Sequence, residues 1–207
     1  VEVVDEIAPT ALCQDVTVEL DEEGNAAISA SDIDNGSFDN CSIASIELDC
    51  AEVLTGNSGS LTADDPTFDR PFGNGTFCSL SGGLEDHPYD VITFVVDQDD
   101  MYNFTCAGNG DLYGLLYQGA FDPANPCDNF LVGDDDDAGG LDPMIDITLF
   151  MDAGTYTLVT TTFSGSPFGL PYNYNWTISS SNGGNVIAPC TFDCADVGDN
   201  DVVLTVT

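Results

Sequence analysis

The densest group of side chains that could bind a ligand is an acidic loop. Asp134, Asp135, Asp136 and Asp137 are consecutive, and Asp142 follows beyond a Gly-Gly pair. Four adjacent carboxylates repel one another unless a cation neutralises them, and Ca²⁺ prefers oxygen ligands on flexible loops. Alternate residues of an extended loop can converge on one ion, so we expect Ca²⁺ here. The alternative is a solvated loop under high salt.

A second acidic cluster lies in the turn-rich segment SDIDNGSFDNC. Its members are Asp32, Asp34 and Asp39 with Asn35 and Asn40, and Asp5 and Glu6 could join them. The preferred interpretation is local Asx-turn chemistry, in which Asp and Asn side chains bond their own backbone. The alternative is a Ca²⁺ ion that stiffens a junction between repeats. Asp97, Asp99 and Asp100, in a separate turn, are expected to stay solvated.

Charge excludes several classes of partner. The 207 residues include 37 Asp and Glu against one Arg (Arg70), no Lys and one His (His87), which gives a net charge of −36. Nucleic acids and anionic membrane surfaces need basic residues, so neither is expected as a partner. No apolar run is long enough to cross a membrane. The first residue is not Met and no signal peptide precedes it, which suggests a mature product or an excised piece.

Catalytic signatures are absent from the sequence. It contains no G-x-S-x-G elbow, and His87 has no recognisable nucleophile nearby. Arg70 is expected to anchor a carboxylate. We therefore predict that the protein is not an enzyme. The alternative is a carboxylate pair for glycoside hydrolysis, but nothing marks out one pair among the 37 acidic residues.

An aromatic row lies late in the chain. Tyr172, Tyr174 and Trp176 alternate along a strand and would share one face. Such rows can stack against sugar rings, so the three residues are candidate ligand contacts. The preferred interpretation is that they belong to a hydrophobic core.

Periodicity predicts strands throughout and no convincing helix. VTVEL and AAISA alternate around a DEEGN turn, which indicates a β-hairpin. Eight cysteines in such a chain favour disulfides and an oxidising compartment. We therefore expect an all-β protein that is extracellular, either secreted or at the cell surface.

The opening segment, APTALCQDVTVELDEEGNAAISASDIDNGSFDNCSI, resembles a hyalin-repeat-like module, an immunoglobulin-like sandwich of large bacterial surface proteins. The F-x-C segment of that family is delayed here until TFDC, near the C-terminal end, and GDNDVVLTVT follows it. The resemblance implies one discontinuous immunoglobulin-like sandwich made of residues 1–50 and 187–207. The family's last cysteine-bearing strand is not found after Thr207, and VEVVDEIAPT resembles the end of that strand with its linker.

The intervening residues 51–186 resemble a bacterial pre-peptidase C-terminal (PPC-like) domain with its linkers. The resemblance rests on YDVITFVVDQDDMYNFTC, on the run from LYQGAF through GDDDDAGGLDPMI, and on LFMDAGTYTLVTTTF. It implies an inserted jelly-roll or β-sandwich domain that serves as an accessory binding module or as a spacer.

Three disulfides are predicted. Cys50 ends the outgoing strand and Cys190 begins the return, so a bridge between them would close the neck of the insertion. The hyalin-repeat resemblance implies a second bridge, Cys41–Cys194. Cys106 and Cys127 flank one strand pair and are expected to bridge it. Cys13 and Cys78 are left over. Either they pair with each other, or Cys13 pairs with the cysteine of the family's last strand.

These observations favour a structural or adhesive repeat, or a filament subunit, whose partners are other copies or neighbouring repeats. Residues 1–7 would supply a donor strand to the next copy. The alternative is a calcium-dependent module that binds a glycan or another surface ligand.

Overall fold

The computed structural model describes residues 7–20, 24–48, 50, 52–72, 75–164, 169–192 and 204–206. Strands make up 53% of the fold, and the described residues include one short helix, so the prediction of an all-β protein is confirmed at that level. The chain divides into two compact units, Val1–Glu52 with Ala188–Thr207 and Val53–Ile187. These bounds lie within two residues of the division that the sequence suggests. An immunoglobulin-like topology and an independently folding insertion stay predictions.

The described residues of unit 1 form four short strands and the helix. The elements are β1 (Ala26–Ile28), α1 (Ala30–Ile33), β2 (Ile46–Leu48), β14 (Cys190–Phe192) and β15 (Leu204–Val206). β1 pairs with β14 and β2 pairs with β15, each pair antiparallel. The core of this unit is a small cluster of four buried side chains, Ile28, Ile33, Leu48 and Cys190.

The predicted hairpin between VTVEL and AAISA is wrong. Residues 26–28 form β1, but residues 16–20 belong to no strand, and the partner of β1 is β14. The alternating pattern predicts a strand correctly only at residues 26–28, and it carries no information about which distant segment a strand will meet. The residues just before this segment, 10–14, pair with residues 33–38 through isolated bridges and backbone hydrogen bonds.

Unit 2 is a sandwich of two antiparallel sheets. Its strands are β3 (Glu52–Leu54), β4 (Gly56–Leu61), β5 (Thr67–Phe72), β6 (Ser79–Val96), β7 (Asp100–Gly108), β8 (Leu112–Gln118), β9 (Phe130–Asp134), β10 (Met144–Met151), β11 (Gly154–Thr162), β12 (Tyr172–Ser180) and β13 (Val186–Ala188). The smaller sheet has the order β10-β7-β12-β4. The larger has the order β3-β13-β6-β11-β8-β9, with β5 added beside β6.

Apolar side chains at alternate positions of the strands fill the space between the two sheets. Phe104 on β7, Trp176 on β12 and Leu116 on β8 belong to one buried apolar cluster that includes residues of both sheets. A second cluster, centred on Phe68, Leu115 and Val159, lies on strands β5, β8 and β11 of the larger sheet. Because β8 and β11 contribute to both clusters, both of their faces are covered, and this explains the nearly continuous burial of LYGLLY and YTLVTTT.

Candidate functional site

The acidic loop at Asp134–Asp137 is tied together by its own backbone. Asp134 is buried at the end of β9, and its Oδ2 accepts hydrogen bonds from the backbone N–H groups of Asp137 (3.1 Å) and Met144 (2.7 Å). Asp142 Oδ1 accepts from the N–H of Gly108 at 3.0 Å. Burial raises the pKa of Asp134 despite these hydrogen bonds, and burial also raises the pKa of Asp135.

Across the described part of the chain, no group of three or more His, Cys, Asp or Glu side chains is arranged to hold a metal ion. Asp134 and Asp142 serve as acceptors for the backbone, and Asp135, Asp136 and Asp137 do not converge with them into such a group. The Ca²⁺ expected at this loop therefore stays a prediction.

The acidic side chains of the second cluster accept hydrogen bonds from groups close to them in sequence, at the start of α1 and in the turns that follow. Asp32 Oδ2 accepts from the N–H and the hydroxyl of Ser29 at the start of α1. Asp34 accepts from the N–H groups of Gly36 and Ser37, and Asp39 accepts from the N–H of Cys41. These hydrogen bonds lower the pKa of Asp34, with those from Ser37 contributing most. Such contacts are what the preferred interpretation, local Asx chemistry, expects.

The aromatic row does not provide a surface for stacking a ligand. Tyr174 and Trp176 are buried in the sandwich core, so their proposed ligand role is wrong, while Tyr172 is half-buried and packs against that core. The Trp176 indole N–H donates to Thr160 Oγ1 at 2.8 Å. The physical reason is that this face of β12 points toward the larger sheet.

The cysteines pair only partly as predicted. Cys50 and Cys190 form a disulfide, as their positions suggest. Cys127 pairs with Cys78, so the predicted Cys106–Cys127 bridge is wrong. Cys106 is a buried thiol on β7 that faces the core, and burial raises its pKa to about 12. Cys194 lies outside the described residues, so the predicted partner of Cys41 stays a prediction.

Cys13 is exposed and is not bonded to Cys78, which excludes that option for the two leftover cysteines. Sequence spacing alone could not have found the Cys78–Cys127 bridge. It joins the segment just before β6 to the loop before β9, and the chain near these cysteines is brought together by the isolated bridge between Gly75 and Gly133.

The chain's two basic side chains are both buried and lie on neighbouring strands. Arg70 is on β5 and His87 on β6, and these strands pair. The guanidinium of Arg70 donates to the carbonyl oxygens of Pro71 (3.3 Å) and Phe163 (3.0 Å). Its Cζ lies 4.2 Å from the centre of the Tyr113 ring, a cation–π contact. The expected carboxylate anchor is replaced by carbonyls and aromatic rings.

His87 is held in its neutral form. Its Nδ1 lies 2.9 Å from the carbonyl oxygen of Thr162, which can only accept, so Nδ1 carries the hydrogen. Nε2 of His87 and Nε of Arg70 are buried, and neither has a hydrogen-bond partner among the described residues. Burial, reinforced by the positive charge of Arg70, lowers the pKa of His87 to about 4. Nδ1 of His87 also lies 2.9 Å from the hydroxyl oxygen of Thr162, and that hydroxyl donates to the carbonyl oxygen of Ser164 at 3.0 Å. The prediction that the protein is not an enzyme stays a prediction.

Asp100 was predicted to be solvated and is instead buried. Its carboxylate accepts from the backbone N–H groups of Asn182 and Gly184 and from the side-chain amide of Asn182. Burial opposes ionisation of Asp100, but these hydrogen bonds and one from Met101 outweigh it and lower the pKa. The carboxylate of Asp97 likewise accepts hydrogen bonds from the backbone N–H and the side-chain amide of Asn185. The signal that sequence reasoning missed is the Asn- and Gly-rich SNGGN loop, which supplies the donors.

Comparison of the chain with protein-family models, with curated proteins and with solved structures finds no match. The resemblances to hyalin-repeat-like and PPC-like modules therefore stay predictions from the sequence.

Proposed function

We propose that this protein is a structural or adhesive repeat of an extracellular fibre or surface array, in which neighbouring copies are joined by strand addition to unit 1. The observation that carries the proposal is the segment at residues 16–20. Its sequence alternates like a strand, yet it belongs to no sheet, and its apolar side chains Val16 and Val18 are 38% and 45% exposed.

Unit 1 supports strand addition because its own sheets are minimal. Each described sheet of this unit has two strands of three residues, and a two-stranded sheet is marginally stable in water. Its described core contains four buried side chains. The Cys50–Cys190 disulfide lies inside this unit and compensates for part of that deficit.

The donor in this proposal is residues 1–7, VEVVDEI, of a neighbouring copy. The segment contains three valines and an isoleucine, and its sequence resembles the last strand of a hyalin-repeat-like module. Residues 1–6 lie outside the described residues. A strand laid beside residues 16–20 would pair backbone groups and would bury Val16 and Val18, which contributes roughly 1 kcal/mol for each side chain.

Sedimentation velocity over a range of protein concentrations tests this proposal. Because a net charge of −36 on each copy opposes association, the measurement is made in about 0.5 M NaCl, where the screening length is about 4 Å. We expect the intact chain to form concentration-dependent polymers and the chain lacking residues 1–7 to remain a single copy. If the intact chain stays monomeric, or if the deletion polymerises equally, strand donation is refuted.

Three matched variants distinguish an effect on the strand edge from a general effect of added charge. Val16→Asp and Val18→Asp place a carboxylate on the face that the donor would cover, whereas Thr17→Asp places the same charge on the opposite face of an extended segment. We expect polymerisation to be lost in the first two variants and kept in the third.

The extracellular assignment is supported by the two disulfides, which persist in oxidising compartments. No helix among the described residues is long and apolar enough to cross a membrane. Calcium dependence remains part of the proposal. It is tested by the melting temperature in CaCl₂ and in MgCl₂ at equal ionic strength, where a shift specific to Ca²⁺ and lost in Asp136→Asn would support the loop as its site.

A further inference from the structure

On the outer face of the smaller sheet in unit 2, the outward side chains of β4, β7 and β12 are uncharged. The fourth strand, β10, contains Asp146, whose side chain lies outside the described ones. β12 presents Asn173, Asn175, Thr177 and Ser179 outward, because the alternate residues of this strand point into the core. The neighbouring strands add Asn103 and Thr105 on β7 and Ser58 and Ser60 on β4. We infer that this face, made by β4, β12, β7 and β10, binds a neutral polysaccharide.

The side-chain amides on this face are held in fixed orientations. The Ser58 hydroxyl donates to Asn175 Oδ1 at 2.7 Å across the β4–β12 pair. The Thr105 hydroxyl donates to Asn103 Oδ1 at 2.6 Å within β7. Because each amide oxygen is engaged, the plane of each amide is set and its NH₂ group is oriented before a ligand arrives. Such preorganisation lowers the entropic cost of binding a hydroxyl-rich chain.

One end of the face provides an apolar platform. Phe150 on β10 is 59% exposed and is the direct register partner of Met101 on β7, which is also exposed. An exposed aromatic ring beside hydroxyl and amide groups suits a pyranose, which has an apolar C–H face and a rim of hydroxyl groups.

Charge selects a neutral partner over a charged one. The chain carries 37 carboxylates, so an anionic polymer is repelled by the molecule as a whole, and a cationic partner gains more from the acidic loops than from the neutral side chains of β4, β7 and β12. Direct contacts on this face therefore favour a ligand that offers hydroxyl groups and no net charge.

The dimensions of the face argue against a second copy of this chain as the occupant. Four strands spaced by ~4.8 Å and about seven residues of ~3.3 Å each define a surface of roughly 15 by 20 Å. Two such faces would bury roughly 600 Å², which is below the ~1,200 Å² typical of a stable protein interface. A polysaccharide chain, which binds weakly at each site and gains avidity from repetition, suits this area.

Affinity electrophoresis through gels that contain a neutral polysaccharide tests the inference, with dextran, laminarin, mannan and galactan as probes and alginate as the anionic comparison. We expect at least one neutral gel, and not alginate, to retard the protein, in EDTA as well as in Ca²⁺. Asn103→Asp with Asn175→Asp should weaken this retardation about tenfold, because carboxylates replace two oriented donors. Phe150→Ala should weaken it separately. Gln118→Glu, which introduces the same amide-to-carboxylate change at an exposed position on β8, should leave it unchanged.

Three results would overturn the inference. These are the absence of retardation by every neutral polysaccharide, retardation that is equal in the variants and in Gln118→Glu, and loss of self-association, rather than of polysaccharide binding, in the Asn103 and Asn175 variants. Melting temperatures of all variants establish that each is folded. The inference concerns unit 2 and does not depend on strand donation by unit 1, because the chain lacking residues 1–7 should bind the same gel.

Discussion

Acidification should destabilise unit 2 through His87. This imidazole is fully buried and neutral, and its protonation would place a positive charge beside Arg70 without a partner for Nε2 among the described residues. The carboxylate of Asp69 partly opposes this effect. Because the pKa of His87 is lower in the folded state than in the unfolded state, the unfolded state binds more protons. The contribution of neutral His87 to the free energy of unfolding is therefore fully present above pH 6.5, and it is lost as the pH falls toward 4.

The magnitude follows from the two pKa values. With 6.5 in the unfolded chain and about 4 in the folded chain, proton linkage removes ~2 kcal/mol between pH 7 and pH 5. The 37 carboxylates act in the opposite direction, because their mutual repulsion weakens as they become protonated.

A comparison with His87→Asn isolates the histidine from the carboxylates. Asn can place an amide N–H near the position of Nδ1 and does not titrate. Urea unfolding is followed by the fluorescence of Trp176, the single tryptophan, which is 1% exposed and therefore reports on unit 2. We expect the free energy of unfolding of the wild type, relative to that of the variant, to fall by ~2 kcal/mol from pH 7 to pH 5. A difference that does not change with pH would refute the role assigned to His87.

Three further predictions concern the sandwich. Gly114→Ala should destabilise unit 2 by ~1–3 kcal/mol, because the added Cβ would lie 2.6 Å from Trp176 Cη2, and the shift should appear in the urea midpoint. Replacing both Cys78 and Cys127 by Ser should cost ~2–4 kcal/mol, since their bridge closes a separation of 49 residues; an unchanged midpoint under oxidising conditions would contradict the pairing. Asp100→Ala should lower the urea midpoint and speed amide exchange of the loop that begins at Asn182, and exchange that stays slow would show that this carboxylate does not hold the loop.

The fold class was predictable because alternation is a local property. Residues 172–180 alternate between core and solvent as a strand should, and the structure places them in β12. Their pairing with β4 and β7 was not predictable, since strand order depends on contacts between segments more than 60 residues apart in sequence.

Candidate site residues were harder to predict than strands. Asp134, expected to bind a metal ion, and Asp100, expected to be solvated, both accept hydrogen bonds from backbone N–H groups that come from other segments. The sequence shows where the carboxylates are but not which donors the fold brings to them. The polar outer face of the smaller sheet was missed for a related reason. Its residues are separated along the chain and become one surface only through strand pairing.

Amide hydrogen exchange at residues 15–20 tests strand donation most directly. At a concentration where the intact chain is assembled, these amides should exchange slowly, since a donor strand supplies them with acceptors. In the chain lacking residues 1–7 they should exchange as rapidly as in dilute solution. Equal exchange in the two proteins at that concentration would contradict the proposal that residues 1–7 of one copy complete unit 1 of the next.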